Sequence, residues 1–168
     1  MSFLTSPSHS GWTGDGVLHI PSGEGLTKWV SGDVYTMKAT ATETGGSLSF
    51  IEAIVPPGSG PIAHAHGGED EAFYLLDGAL EFLDGDRTFV AEAGSFVFIP
   101  RNRRHRFKNI SDIDARTLFL FTPGGPEALF VEGGDDPVPG ERPKVWDMDR
   151  VTAIAEIIQR INMTVLPE

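Results

Sequence analysis

From Phe73 to Thr122 the sequence is cut into short runs rich in β-branched and aromatic residues: FYLL, ALEFL, RTFVAEA, SFVFIP, HRFKNI and RTLFLFT. Between them stand tight-turn signals, Asp77-Gly78, Asp84-Gly85-Asp86, Gly94 and the polar RNRR. Aspartate and glycine tolerate the positive φ of primed hairpin turns, so these breaks read as chain reversals. Strands recurring at roughly 8–12 residues argue for an antiparallel sandwich or barrel and against a βαβ fold with its long crossovers.

The flanks differ in texture. Between Val17 and Ile54 the runs VLHI, TKWV, VYTMKAT and SLSFIEAIV are punctuated by PSGEG, SGD and TETGG, which predicts additional strands within 17–44 ahead of a core at about 45–122. After Thr122, PGGPEALFVEGG suits one short helix with Pro126 near its first turn, and DDPVPGERPK is a proline-rich surface connection. From Asp147 the residues Met148, Val151, Ile154, Ala155, Ile158 and Ile161 fall at helical spacing. This predicts a helical tail over 147–162, packed on the barrel in preference to serving as a lid. The first dozen residues read as loose and polar. A chain of 168 residues suits a single domain, 1–168, with a sizeable core.

Composition narrows the chemistry. With no cysteine there is no disulfide framework and no thiolate, so a metal would be held by imidazole and oxygen. The net charge of −11 disfavours nucleic acid and anionic membranes as partners. PRNRRHRFKN (100–109) is a local basic exception, in which Arg103 or Arg104 could edge a pocket. The N-terminal segment lacks a basic and apolar leader pattern, and no apolar run approaches the roughly 20 residues needed to cross a bilayer. The expectation is a cytoplasmic protein.

Chemistry concentrates in GSGPIAHAHGGEDEAFYLLDG (58–78). Side chains alternate along a strand, so His64 and His66 share a face with Cα atoms about 6.6 Å apart, close enough to converge on one small object. Glu69, Asp70 and Glu71 follow where a reversing chain can return a carboxylate to the same spot. His105 belongs to the next basic stretch. The remaining histidines, His9 and His19, lie in the N-terminal segment.

The full spacing is Gly58-x5-His64-x-His66-x4-Glu71-x6-Gly78, then Gly94-x5-Pro100-x-Asn102-x2-His105-x3-Asn109. It closely resembles the two motifs of the cupin superfamily, and the resemblance covers about Gly45 to Thr122. It implies an all-β fold, the double-stranded β-helix or jelly-roll barrel, with N-terminal extra strands and a C-terminal helix here. It also implies His64, His66, Glu71 and His105 as ligands of one divalent transition metal. Asn102 departs from the family's glycine. Asparagine is the next most tolerant residue of positive φ, so the turn is expected to persist. Glu69 does not fit the family spacing and reads as a rim charge.

A three-histidine, one-carboxylate set suits Fe, Mn, Ni, Co, Cu or Zn without choosing among them. Eleven phenylalanines predict an apolar interior, and Phe50, Phe73, Phe107 and Phe119 are candidate pocket residues for a small aromatic or polyketide-like substrate. The chain looks most like small quercetin 2,3-dioxygenase-like cupins. That likeness implies a dioxygenase in which Glu71 takes a proton from an enolic substrate and dioxygen is the second reactant. A Lewis-acid isomerase, cyclase or decarboxylase keeps the metal without the oxygen, and a non-catalytic metabolite-binding module is a third reading. Family likeness also implies a homodimer, with strands before Gly45 adding to a partner's sheet.

Overall fold

The computed structural model describes residues 15–168; His9 and the first dozen residues lie outside that range. Strands β1 (Leu26–Val30) and β2 (Asp33–Ala39) form a hairpin in which Val30 pairs with Asp33. Both residues of its turn, Ser31 (φ 49°) and Gly32 (φ 101°), have the positive φ that a two-residue primed turn demands. β3 (Ser49–Val55), β5 (Asp70–Asp77), β8 (Phe96–Ile99) and β10 (Ala115–Thr122) complete a six-stranded sheet in the order β1-β2-β3-β10-β5-β8. β4 (His64–His66), β6 (Ala79–Asp84), β7 (Arg87–Glu92), β9 (His105–Lys108) and β11 (Met163–Val165) make a five-stranded sheet, β11-β4-β9-β6-β7. All their pairings are antiparallel, as the turn spacing predicts.

The sheets bury one face each. Asp33, Tyr35, Met37 and Ala39 of β2 alternate inward, as do Ser49, Ile51, Ala53 and Val55 of β3 and Ala115, Thr117, Phe119 and Phe121 of β10. Phe73, Phe82 and Phe107 join them in one apolar core. A fully buried aliphatic or aromatic side chain of this kind stabilises the fold by about 1.5–3 kcal/mol.

One expectation on the flanks needs correction, and the tail carries detail beyond its expected helix. VLHI (17–20) forms no strand: Val17 is 88% exposed, and nothing pairs with this stretch among the described residues. The helical tail is two short helices, α2 (Met148–Ala153) and α3 (Ala155–Arg160), broken at Ile154, whose φ/ψ of −104°/9° leaves the α-helical region. Beyond them β11 adds the C-terminal residues to β4, which the sequence pattern did not suggest because MTV is too short to show a period. The PGGPEALFVEGG helix is present as α1 (Ala128–Gly133). Numbered in chain order, α1 precedes the tail helices, and it lies over the inner face of β1 and β2, with Phe130 stacked on Tyr35. Among the described residues no helix is long and apolar enough to cross a membrane.

Candidate metal centre and its cavity

The four motif residues come from facing sheets. His64 and His66 occupy alternate positions of β4, and His105 opens β9 directly opposite His64 in register. Glu71 reaches across from β5 of the other sheet, where it is paired with Ile99 and Phe121. All four are buried, and one ligand atom from each lies within 4.8 Å of the others. A turn locks the two motifs together: Asn102, at φ 64°, donates its backbone N–H to the carbonyl of His66 at 2.6 Å. Asparagine thus adopts the left-handed conformation for which the family's glycine is suited.

Hydrogen bonds set the tautomers. His64 Nδ1 donates to the Ile62 carbonyl at 2.7 Å and His105 Nδ1 to the Arg103 carbonyl at 2.8 Å, because a carbonyl can only accept. Each Nε2 is thereby turned toward the cluster with its lone pair, the second-sphere arrangement of metal-ligating histidines. His66 has no hydrogen-bond partner on either ring nitrogen, although it is buried. Glu71 Oε2 lies 2.9 Å from His105 Nε2 and 3.5 Å from His66 Nε2.

Electrostatics agree with a cation site. Burial, then the neighbouring His105 and His66, push His64 down to about 3, so it is a neutral imidazole at physiological pH. Burial works against ionising Glu71, yet the hydrogen bond with His105 and the nearby His66 and His105 rings outweigh it and hold the carboxyl well below the usual carboxylate range. Burial also pushes His105 down, and the hydrogen bond and charge of Glu71 more than reverse that, raising it above its ordinary value. A divalent ion fits this donor set. It would satisfy the orphaned His66 nitrogen and sit between lone pairs that otherwise face one another.

His64, His66 and Glu71 of the cluster form one wall of a cavity with about 560 Å³ of empty volume, its open mouth included. The other walls are Phe107, Phe119, Phe121, Phe130, Leu129 and Val30, with Ile161 and Met163 from the C-terminal tail. Phe107 and Phe119, two of the four candidate pocket residues, are thus among the walls of this cavity. Phe73 lies one layer behind, its ring stacked on Phe119 at 5.3 Å and edge-on to Phe107 at 5.6 Å. Phe50 is corrected: it alternates with the inward Ser49 and Ile51, so strand parity sends it to the outer face of β3.

Other charged candidates go elsewhere. Glu69 is half-buried and stands outside the group of four. Arg103 is bound to Asp84 at 2.6 Å, and Arg104 to the Gly85 and Pro167 carbonyls and to Asp86; neither lines this cavity. Sequence reasoning missed Asp33 and Tyr35, which line the cavity from β2. SGD reads as punctuation, but the alternation Asp33-x-Tyr35-x-Met37 was the available signal that Asp33 shares the inward face. Ile161 was visible as an apolar tail position without its destination.

Comparison with known proteins places this architecture. A Cupin domain family model matches residues 51–121. Polyketide synthase CurC of Streptomyces cyaneus is 37% identical over 98 residues, covering 57% of this chain and 62% of CurC. Protein SchB of Streptomyces halstedii is 34% identical over 96 residues, 56% of this chain and 69% of SchB. A match of this kind thus spans roughly two thirds of each relative. Quercetin 2,3-dioxygenase of Bacillus subtilis is 24% identical over 116 residues, 69% of this chain and 34% of that enzyme. Among solved structures, a predicted oxalate decarboxylase from Thermotoga maritima superposes with a TM-score of 0.58 at 22% identity, covering 61% of this chain and 96% of that one. The two-sheet barrel, the paired motifs and these matches together show that the chain belongs to the cupin family.

Proposed function

We propose that this protein is a metal-dependent enzyme that carries a small aromatic, polyketide-like ketone through its enolate. The observation that carries the reading is the pairing of a three-histidine, one-carboxylate cluster with an aromatic-walled cavity in which Glu71 is the cluster's sole carboxylate. A divalent ion held by His64, His66, Glu71 and His105 would supply Lewis acidity toward a substrate carbonyl oxygen. Glu71, whose basicity rises once it is released from its His105 and His66 contacts into the apolar cavity, takes the proton from the carbon beside that carbonyl. Phe107, Phe119 and Phe121 exclude water and hold a planar ring system by face and edge contacts. The likeness to a polyketide synthase protein supports the substrate class, and closure of that enolate onto a second carbonyl would be a redox-neutral ring closure.

A second reading retains the same enolate and adds dioxygen to it, as the likeness to a quercetin 2,3-dioxygenase suggests. The two separate in one experiment. Metal-loaded protein is incubated with flavonols and with enolisable aromatic diketones under air and under argon, while oxygen uptake and product mass are followed. Closure proceeds equally under argon and consumes no oxygen. Product gaining two oxygen atoms only under air would replace it with the dioxygenase reading. Absence of turnover on both substrate classes at full metal occupancy would overturn the proposal and favour a metabolite-binding module. A cytoplasmic homodimer is the setting proposed with it, checked by light scattering.

A further inference from the structure

The cavity contains a second acid that the four-residue cluster does not use. Asp33 is 2% exposed and lines the same cavity as His64, His66 and Glu71. It sits at the first inward position of β2, directly after the primed turn, on a strand face that is otherwise Tyr35, Met37 and Ala39. Its Oδ2 accepts from the Tyr35 hydroxyl at 2.9 Å and its Oδ1 from the Ser59 hydroxyl at 2.5 Å. Among the described residues no cation pairs with it. As a clamp between Ser59 and Tyr35 alone, an ionisable side chain carries a desolvation cost that an amide avoids.

Its two partners lead in different directions. Tyr35 continues along the cavity wall, with its ring stacked on Phe130 at 4.6 Å. Ser59 is only half-buried and lines an open surface groove with Gly32, Pro56 and Val145. Asp33 therefore lies between the cavity and the surface groove, joined to the groove side through a single hydroxyl.

We propose that Asp33 is a catalytic acid–base residue of this cavity. It hands a proton to a substrate oxygen remote from the histidine–glutamate cluster and is reloaded from solvent through Ser59. This role rests on the enolate reading above and specifies its substrate: a molecule with two carbonyls, one at the cluster and one at Asp33. Glu71 takes the proton from the carbon beside the first carbonyl. The electron pair left on that carbon forms the new C–C bond to the second carbonyl carbon. The π pair of the second carbonyl moves onto its oxygen, which takes the Asp33 proton. The substrate loses one proton at carbon and gains one at oxygen, so no oxidant or reductant is consumed. Glu71 then releases its proton, and Asp33 regains one by way of Ser59. Burial pushes the Asp33 carboxyl up to about 6, so its protonated form persists toward neutrality, where a general acid is effective.

The test uses ortho-acetonyl acetophenone, whose internal aldol closure with loss of water gives a fluorescent methylnaphthol. Wild type, Asp33→Asn and Ser59→Ala are compared at equal metal content, with Asp33→Ala assayed with and without formate. Asp33→Asn should keep its fold and metal while the closure rate falls by ~10²-fold or more. Ser59→Ala should slow closure less, and formate should partly restore Asp33→Ala. Wild-type rates in Asp33→Asn would overturn the assignment and leave Asp33 as a structural clamp. If Asp33→Asn does not fold, failure of formate to raise the Asp33→Ala rate overturns it equally. A metal-loaded wild type that does not close the diketone contradicts the enolate reading itself, and Asp33's role with it. The two failures are thus told apart by the wild-type rate.

Discussion

His105 Nε2 lies 2.9 Å from Glu71 Oε2 although His105 Nδ1 already donates to the Arg103 carbonyl. A neutral imidazole has one N–H, and here that proton is spent on the backbone. The close approach to the carboxylate therefore requires a second proton or a cation between the two groups. His66 Nε2, buried and without a hydrogen-bond partner, stands 3.5 Å from the same carboxylate oxygen. A divalent cation meets both needs at once, and a proton meets only one.

Glu71 has two assigned roles that substitution separates. Glutamine keeps the shape and an oxygen donor but removes the charge and the basicity. With three imidazoles remaining, Glu71→Gln should retain much of its metal and lose turnover by ~10²-fold or more. Rates are compared at equal metal occupancy, determined by elemental analysis. Near-normal turnover in that comparison removes Glu71 as the base.

Asp33 makes the fold pH-sensitive in a defined direction. Burial raises its carboxyl from 3.8 to about 6, against the opposing hydrogen bonds of Ser59 and Tyr35. An acid with a raised folded-state value binds its proton more tightly when folded. Its ionisation cost is absent below the unfolded value, grows as pH climbs, and is complete above the folded one. The difference corresponds to roughly 3 kcal/mol. Asp33→Asn should therefore gain stability over wild type on going from about pH 4 to about pH 7, read by urea denaturation. An Asp33→Asn effect that is equal at both pH values contradicts this. Higher stability with lower activity in one variant is the expected signature of a functional buried acid.

Asn102 tests the turn that joins the two motifs. Its φ of 64° suits glycine and asparagine and penalises a β-branched residue. Asn102→Gly should be nearly neutral, whereas Asn102→Val should cost about 1–2 kcal/mol by denaturation. Asn102→Val should also weaken metal binding, because the Asn102 N–H is fastened to the His66 carbonyl. Equal stability of the two variants would show that this turn is not the constraint.

Much of the cluster was legible in the sequence because its elements are strands, whose period of two fixes which side chains share a face. His64 and His66 on one side of β4, and His105 and Phe107 on one side of β9, follow from parity alone. Pairing across the barrel is not local: nothing between residues 64 and 105 states that these two histidines become register partners. The spacing resemblance supplied that step. Phe50 went astray because β3 begins one residue earlier than its aromatic suggests, with small Ser49 taking the inward place. Asp33 was hidden because Asp after Ser-Gly is the usual composition of a turn, and burial of a carboxylate is the less common outcome. The tail strand β11 and the break at Ile154 depend on docking against β4 and α1, which sequence periodicity does not record.

Cobalt(II) binding tests the metal centre most directly. Metal-stripped protein is titrated with cobalt(II), following the visible absorption bands that report nitrogen and oxygen ligands, with His64→Ala, His105→Ala and His19→Ala alongside. His19 is exposed and stands apart from the cluster, so it serves as the control. The expected result is saturation at one ion per chain in wild type and in His19→Ala, with the bands lost and occupancy far below one in His64→Ala and His105→Ala. Undiminished binding in His105→Ala, or no binding in folded wild type, would contradict a metal centre built from His64, His66, Glu71 and His105.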